Sequence, residues 1–530
     1  MIRHRTTGPC TAVRLALAAV FVVCAQTRAD APIEPFESPG EVQPAGRIDE
    51  LVFARLQALE IAPAHLCSDA VFVRRAYLDI TGTLPTAAQA EAFIRDRTGL
   101  KRRALIDDLL DRDEFAEYWA MKHADVLRLK AEFPIKLWPK AAQAYHRYLR
   151  DALRENRPYD RLARELLLAT GSNFYAPPVN FFRAVQNREP RGLAAAVALT
   201  FMGERAERWP ARRLDDLAVF FSQVSYKSTA EWKEEIVYLD PAKTAALPHI
   251  ARLPDGQTVA LPRGRDAREA LVDWLIAPEN PCFARAAVNR TWYWLMGRGV
   301  VHEADDLRPD NPPSNPELLA HLEKEFVDSG YDFKHLCRII LNSTTYELSS
   351  IPATHDPAAV QNFACYPLRR LEAEVLIDAL CQLTGEPEEY SSVVPEPFTF
   401  IPPDVRAVAI DDGNTTSAFL ELFGRASRDT GLLSERNNAS NASQRLHLLN
   451  SSHVQNKIAA GPALRPLLAA DWGPSETVDA VYLTILSRYP TADERRIALD
   501  HAAAGGLAWR EAAVDLLWAL INSEEFLHRH

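Results

Sequence analysis

Apolar residues recur along this chain at three- and four-residue steps, the spacing of α-helices with one buried face. Leu51, Val52, Leu56 and Leu59 open the series just after Ile48. Val71, Val73, Ala76 and Tyr77 mark a second helix, closed by Thr81-Gly82-Thr83-Leu84-Pro85. Pro85 has no N–H to give and pushes Leu84 out of the helical range, so the chain must turn there. Further amphipathic runs cover 87–96, 101–111, 113–130, 141–155 and 158–169. Between Ile236 and Pro262 the pattern changes: β-branched and apolar residues flank Asp255-Gly256, a dipeptide suited to a tight hairpin turn. Helical patterning resumes at Ala267. Asn315-Pro316 is an N-cap followed by a first-turn proline; Leu318, Leu319, Leu322 and Phe326 form the stripe, and Gly330 supplies the stop.

These signals predict a mainly α, multi-helix protein of two modules, 48–235 and 267–530, with a small β ribbon near 236–262 inside a seam at 236–266. The loop from about 386 to 415, rich in proline, is expected to cross the surface. Residues 76–90 and 481–495 agree at six of fifteen aligned positions. Two readings fit this echo: a duplicated helical unit, or the common outcome of any helix stopped by X-Pro-Thr.

The N-terminus reads as a secretory signal over 1–29. Arg3, His4, Arg5 and Arg14 precede an apolar run from Leu15 to Val23, and small-residue cleavage patterns follow at Val23-Cys24-Ala25 and Thr27-Arg28-Ala29. The run is shorter than the roughly 20 residues a membrane span needs, and no later stretch is long and apolar enough. The expected location is therefore secreted, periplasmic or in the cell envelope. Residues 30–47, rich in proline and acid, form a linker or arm. Removing the signal takes away four arginines and no acid, which moves the formal charge from −11 to −15. That balance opposes non-specific phosphate binding, so nucleic acid is not an expected partner. Cys67, Cys282, Cys337, Cys365 and Cys381 then remain; none forms a C-x-x-C pair, so no zinc cage or close disulfide framework is indicated, and one or two long-range bridges or buried free thiols fit equally.

Two polar segments carry the candidate chemistry. The first runs from Asn289-Arg290 through Asp305-Asp306-Leu307-Arg308-Pro309-Asp310-Asn311. Asp305, Asp306, Asp310 and Asn311 offer oxygen ligands to a hard cation such as Ca²⁺, or cap helices and pair with arginines, the commoner use. The second contains Arg370, Glu372 and Glu374, followed by Arg425, Arg428, Glu435 and Arg436. Asn289, Arg290, Arg308, Asn311, Arg370, Arg425 and Arg436 are the candidate binding residues, through forked hydrogen bonds to an anionic or sugar ligand. Asp305, Asp306 and Glu435 are the candidate carboxylates for acid–base cleavage of a glycan. No nucleophile elbow, phosphate-binding glycine loop, H-E-x-x-H or C-x-x-C-H occurs. Trp292 and Trp294 read as core residues.

Val73-Arg74-Arg75-x-Tyr77-Leu78-Asp79-Ile80-Thr81-Gly82-x-Leu84-Pro85-Thr86 resembles the opening signature of the planctomycete cytochrome-like domain of unknown function. Asn289-Arg290-x-Trp292, Gly297-Arg298-Gly299-Val300-Val301, Asp305-Asp306-x-Arg308, Phe423-Gly424-Arg425 and Leu516-Leu517-Trp518-Ala519-Leu520-Ile521-Asn522-Ser523-x-Glu525-Phe526 resemble its C-terminal companion domain. The resemblance implies an exported protein of a planctomycete-like bacterium, in a family with no established activity. It also implies a haem motif, C-x-x-C-H, after a Phe-Leu-Gly segment. Here Phe201-Met202-Gly203 runs on into Glu204-Arg205-Ala206-Glu207-Arg208-Trp209, without cysteine or histidine, which excludes covalent haem at that position. The expected function is a non-catalytic binding or scaffold protein whose partner is an envelope protein or an extracellular polymer. A glycan hydrolase and a redox partner are the alternatives.

Overall fold

The periodic runs fold as helices close to their expected bounds: Arg47–Ala58, Asp69–Ile80, Ala87–Arg95, Lys101–Leu110, Asp113–Val126, Pro139–Arg154 and Tyr159–Leu167. The fold is mainly α. The computed structural model describes residues 33–131, 137–395, 397–469, 472–505 and 509–530. The expected signal peptide and the first residues of the 30–47 arm lie outside them. Caps appear where the sequence places them. Asn315 Oδ1 accepts the Leu318 N–H at 3.0 Å ahead of the helix Pro316–Asp328, and Gly330 takes the left-handed φ of 71° that ends it.

The β structure is scattered. The strand Glu235–Leu239 pairs antiparallel with Val224–Ser228 and Gly171–Ser172, both outside the expected 236–262 ribbon. The Asp255-Gly256 turn does close a hairpin, Ile250–Arg252 against Thr258–Ala260. The expected single ribbon is thus two patches divided by the short helix Pro241–Ala245. Val224–Ser228 escapes detection because five residues carry too little alternation to stand out beside strong helical neighbours. The 386–415 loop is likewise not confined to the surface. Val408, Ile410, Asp412 and Thr415 are buried, and Asp412 Oδ1 accepts the Ala131 N–H at 2.7 Å.

The internal echo has a shared local geometry. Gly82 and Ser487, aligned positions, are both left-handed, with φ of 63° and 60°. Thr86 and Thr491 both cap the next helix, with Gln89 and Glu494 reaching back to the cap N–H. Tyr77 and Tyr482 each lie under an arginine, Arg112 and Arg488, at 5.2 Å. The first turn needs glycine for a second reason: a Cβ on Gly82 would lie 2.6 Å from the Tyr118 ring.

Pro32–His530 is one compact unit, and its apolar core is continuous from Ile48 to Phe526, with Trp292 fully buried and Trp294 nearly so. Charge runs through this interior. Asp79, fully buried, accepts the hydroxyls of Tyr346 at 3.0 Å and Tyr366 at 2.7 Å. It also pairs with Arg369 and Arg529, each at 3.1 Å. Arg529 continues to Glu372 at 2.6 Å, and Glu372 to Lys122. Breaking a buried pair leaves an uncompensated charge in low dielectric. Asp79→Ala strips three donors of their acceptor and Arg529 of a counter-charge at once, and is expected to cost about 3–5 kcal/mol, measured by urea unfolding. A loss below about 1 kcal/mol would mean that this network is solvated rather than structural.

Candidate functional site

The two polar segments singled out in the sequence meet in space. Arg290, 2% exposed, projects from the helix Pro281–Met296. It donates to the carbonyls of Thr200 at 2.9 Å and Leu199 at 3.2 Å, and pairs with Asp305 at 3.1 Å. The other Asp305 oxygen accepts the Leu433 N–H at 2.7 Å, joining the segment 289–313 to 423–436. Asn289 is fully buried and clips Val301 through both its N–H and its carbonyl. Asn289 and Arg290 therefore hold interior joints: the Asn289 amide is spent on backbone, and the two terminal nitrogens of Arg290 on backbone carbonyls and Asp305, while its buried Nε has no partner.

The remaining candidates are also engaged. Asp306 pairs with Arg208 at 2.6 Å and Arg308 at 2.8 Å, and Arg308 also reaches Asp310 at 3.0 Å. Asn311 donates its amide to the Asp306 carbonyl at 2.8 Å. The four oxygens proposed for Ca²⁺ do not converge: three carboxylates are each held by arginine, and the Asn311 contact is made by its nitrogen. Among the described residues no group of three or more His, Cys, Asp or Glu is arranged to hold a metal ion. Glu435 caps its own loop, accepting the N–H groups of Asp429 at 3.0 Å and Thr430 at 2.6 Å. Arg370 donates to the carbonyls of Phe423, Asn437 and Asn438. The five cysteines are free thiols.

Arg425 and Arg436 belong to a second buried ionic group. Arg436 bridges Asp125 at 2.7 Å and Glu374 at 2.5 Å; Arg428 meets Asp125 at 2.9 Å, and Arg425 approaches Glu374 at 3.5 Å. Burial alone would raise these carboxyls. Arg436 and Arg428 outweigh it at Asp125, and Arg436 and Arg425 at Glu374, so both lie below the ordinary range. Against the same burial, Arg529, Lys122 and Arg436 hold Glu372 well below it.

This framework backs an open cleft of about 580 Å³, lined by Arg128, Arg191, Leu199, Arg205, Thr430 and Leu432. The Asp305–Leu433 and Glu435–Thr430 bonds fix its 429–432 wall. A second cleft, about 450 Å³, is lined by Tyr77, Gln89, Arg112, Asp378, Gln382 and Glu388. Burial pushes the Asp378 carboxyl there up to about 7. Its two oxygens accept the Ala407 and Val408 N–H groups at 2.6 and 3.1 Å, so it caps a turn rather than facing a ligand.

The interval at 203–209 does not fit a covalently held haem. It has no cysteine or histidine, and three of its four charged groups are paired already: Glu204 with the Trp209 indole at 2.7 Å and Arg213 at 2.9 Å, Arg205 with Glu303, Arg208 with Asp306. Sequence reading missed Arg128, the most buried of the cleft arginines. It sits at the plain end of a helix, and its left-handed φ of 58° leaves no mark in the sequence.

Residues 47–208 match a family model described as a protein of unknown function (DUF1549), and residues 267–502 match another, a protein of unknown function (DUF1553). No curated protein and no solved structure matches the chain.

The depressed carboxyls set a pH dependence. Folded values below the ordinary 3.8 and 4.5 mean that protons bind more readily to the unfolded chain. The stabilisation is full above about pH 4.5 and lost as pH falls through the lower folded values. Urea unfolding between pH 3 and 6 should show stability dropping steeply below about pH 4.5. A flat profile across that window would contradict the ion-pair assignment.

Proposed function

The chain is a member of the proteins that join DUF1549 to DUF1553, and on that premise we propose that it is an exported, non-catalytic binding protein. It takes its ligand, an extracellular polymer, in the 580 Å³ cleft. The observation that carries this reading is the state of the three candidate catalytic carboxylates. Asp305 and Asp306 are locked to guanidinium groups, and Glu435 is spent on its own loop. A glycan hydrolase needs one carboxyl free to give a proton and a second free to attack or to activate water, flanking one bond. Carboxylates whose oxygens are taken up by guanidinium groups or by their own loop are not free for either role. What the cleft retains is shape, three arginines and a wall pinned from behind, which suit binding. Its volume lies within the range of small-ligand sites, about 300–1,000 Å³, enough for a sugar unit or two of a longer chain.

Two measurements test this. The purified chain, incubated with a panel of extracellular polysaccharides, should release no reducing ends while binding at least one of them by calorimetry. Asp306→Ala, which leaves Arg208 and Arg308 without their shared partner, should lower stability by about 1–3 kcal/mol in urea unfolding. Turnover by the wild type, abolished in Asp306→Ala with the melting temperature unchanged, would establish the hydrolase instead.

A further inference from the structure

Arg128 is the anomaly of the cleft. It is 5% exposed, yet no carboxylate pairs with it among the described residues. Its Nη1 donates to the Thr200 hydroxyl at 3.1 Å and the Val126 carbonyl at 3.3 Å; among the described residues its Nε and Nη2 meet no acceptor. Every other fully or nearly buried cation near it has an acid: Arg290 has Asp305, Arg428 has Asp125, Arg436 has Asp125 and Glu374. Burial is the chief force on it, pulling its pKa down to about 10. The carboxylates whose fields reach it, Glu435 and Asp305, are committed elsewhere.

The surroundings keep the guanidinium clear. Gly431, at φ 78°, lies directly against it: a Cβ there would stand 2.9 Å from Arg128 Cζ and 3.0 Å from Nη2. Arg205 shares the cleft; its Nη2 is tied to Glu303 at 3.0 Å, while its buried Nε has no partner. Arg191 is balanced by Asp215 at 3.1 Å and Asp429 by Lys130 at 2.5 Å. Glu207 lines the cleft as an exposed carboxylate. A buried cation with open donors is costly unless an anion meets it, and a guanidinium fork matches a two-oxygen acceptor.

We propose that the cleft binds an oxyanion of an acidic glycan, a sulfate ester or a carboxylate, with Arg128 Nε and Nη2 as the donors and Arg205, which lines the same cleft, as the second guanidinium. This rests on the binding reading above and names its ligand class. A single ion would leave most of the cleft empty, which favours an anionic group carried on a larger chain. The chain as a whole has a formal charge of −11, so diffuse attraction to a polyanion is absent and binding must come from this local site.

The test is calorimetric titration of the purified chain with dextran sulfate, polygalacturonate and uncharged dextran, for the wild type, Arg128→Met and Arg205→Gln. At least one anionic polymer should bind the wild type, and which of the two does so separates sulfate from carboxylate. Arg128→Met should weaken that binding roughly tenfold or more, with a melting temperature equal to or above the wild type, because the removed charge has no partner. Arg205→Gln, a change at a partly exposed side chain, should weaken it in the same direction and keeps the test alive if Arg128→Met does not fold. Unchanged affinity in either folded variant overturns the proposal. So does a wild type that binds uncharged dextran alone, an outcome that leaves the binding reading standing; reducing ends released from any of the three polymers would overturn that reading instead.

Discussion

Ionised side chains inside a protein are held there only by each other, and in this chain that mutual dependence spans almost its whole length. Asp79, Lys122 and Asp125 come from the first part of the sequence; Arg369, Glu372, Glu374, Arg428, Arg436 and Arg529 come from the last. Desolvating any one of them costs several kcal/mol, recovered only when the opposite charge arrives from a distant segment. Helices that carry these groups cannot be buried separately. The ionic interior therefore makes the packing of early and late helices one event and accounts for the single continuous core from Ile48 to Phe526. Apolar burial supplies most of the driving force, while the charges decide which partner each helix must find.

The same constraint explains why the residues that looked most functional are structural. Arginine and aspartate are rarely buried unpaired, so a dense polar segment such as 289–311 reads from sequence as a surface. In the fold, Asp305 is the rivet between Arg290 and the Leu433 N–H, and Glu435 holds the turn at 429–430. These groups stand behind the cleft and shape it without facing it. Their chemistry is consumed in placing the wall, leaving Arg128 as the cation that the wall exposes.

Helices and their caps were legible in the residues, because period, proline and N-cap chemistry are local. The run at 69–80 was legible as a helix but not as one buried on every side from Val71 to Ile80; its Arg74, Arg75 and Asp79 find partners hundreds of positions away, which no local pattern reports. The strand Val224–Ser228 was illegible for the opposite reason, being too short to show a period. Of the candidate site, the two polar segments were visible as motifs, but their junction through Asp305 and the Leu433 N–H was not. Arg128 was not, since an unpaired donor is a property of the finished structure.

Burial of arginine is by itself no sign of a ligand in this protein. Arg74 donates to the carbonyls of Ile485 and Phe526, Arg75 to those of Tyr346, Leu348 and His530, and Arg370 to three more. In these cases carbonyl dipoles take the place of a counterion, and the guanidinium serves as a clamp on irregular backbone. Each also leaves one buried nitrogen without an acceptor, so a stray donor is tolerated when the rest of the fork is served. Arg128 differs in kind: one nitrogen of its fork is served, the edge formed by Nε and Nη2 is not, and it lines open volume beside a glycine that leaves room for it. That conjunction of an unmatched charge, an unserved edge and space to fill separates a recognition group from a structural one built of the same atoms.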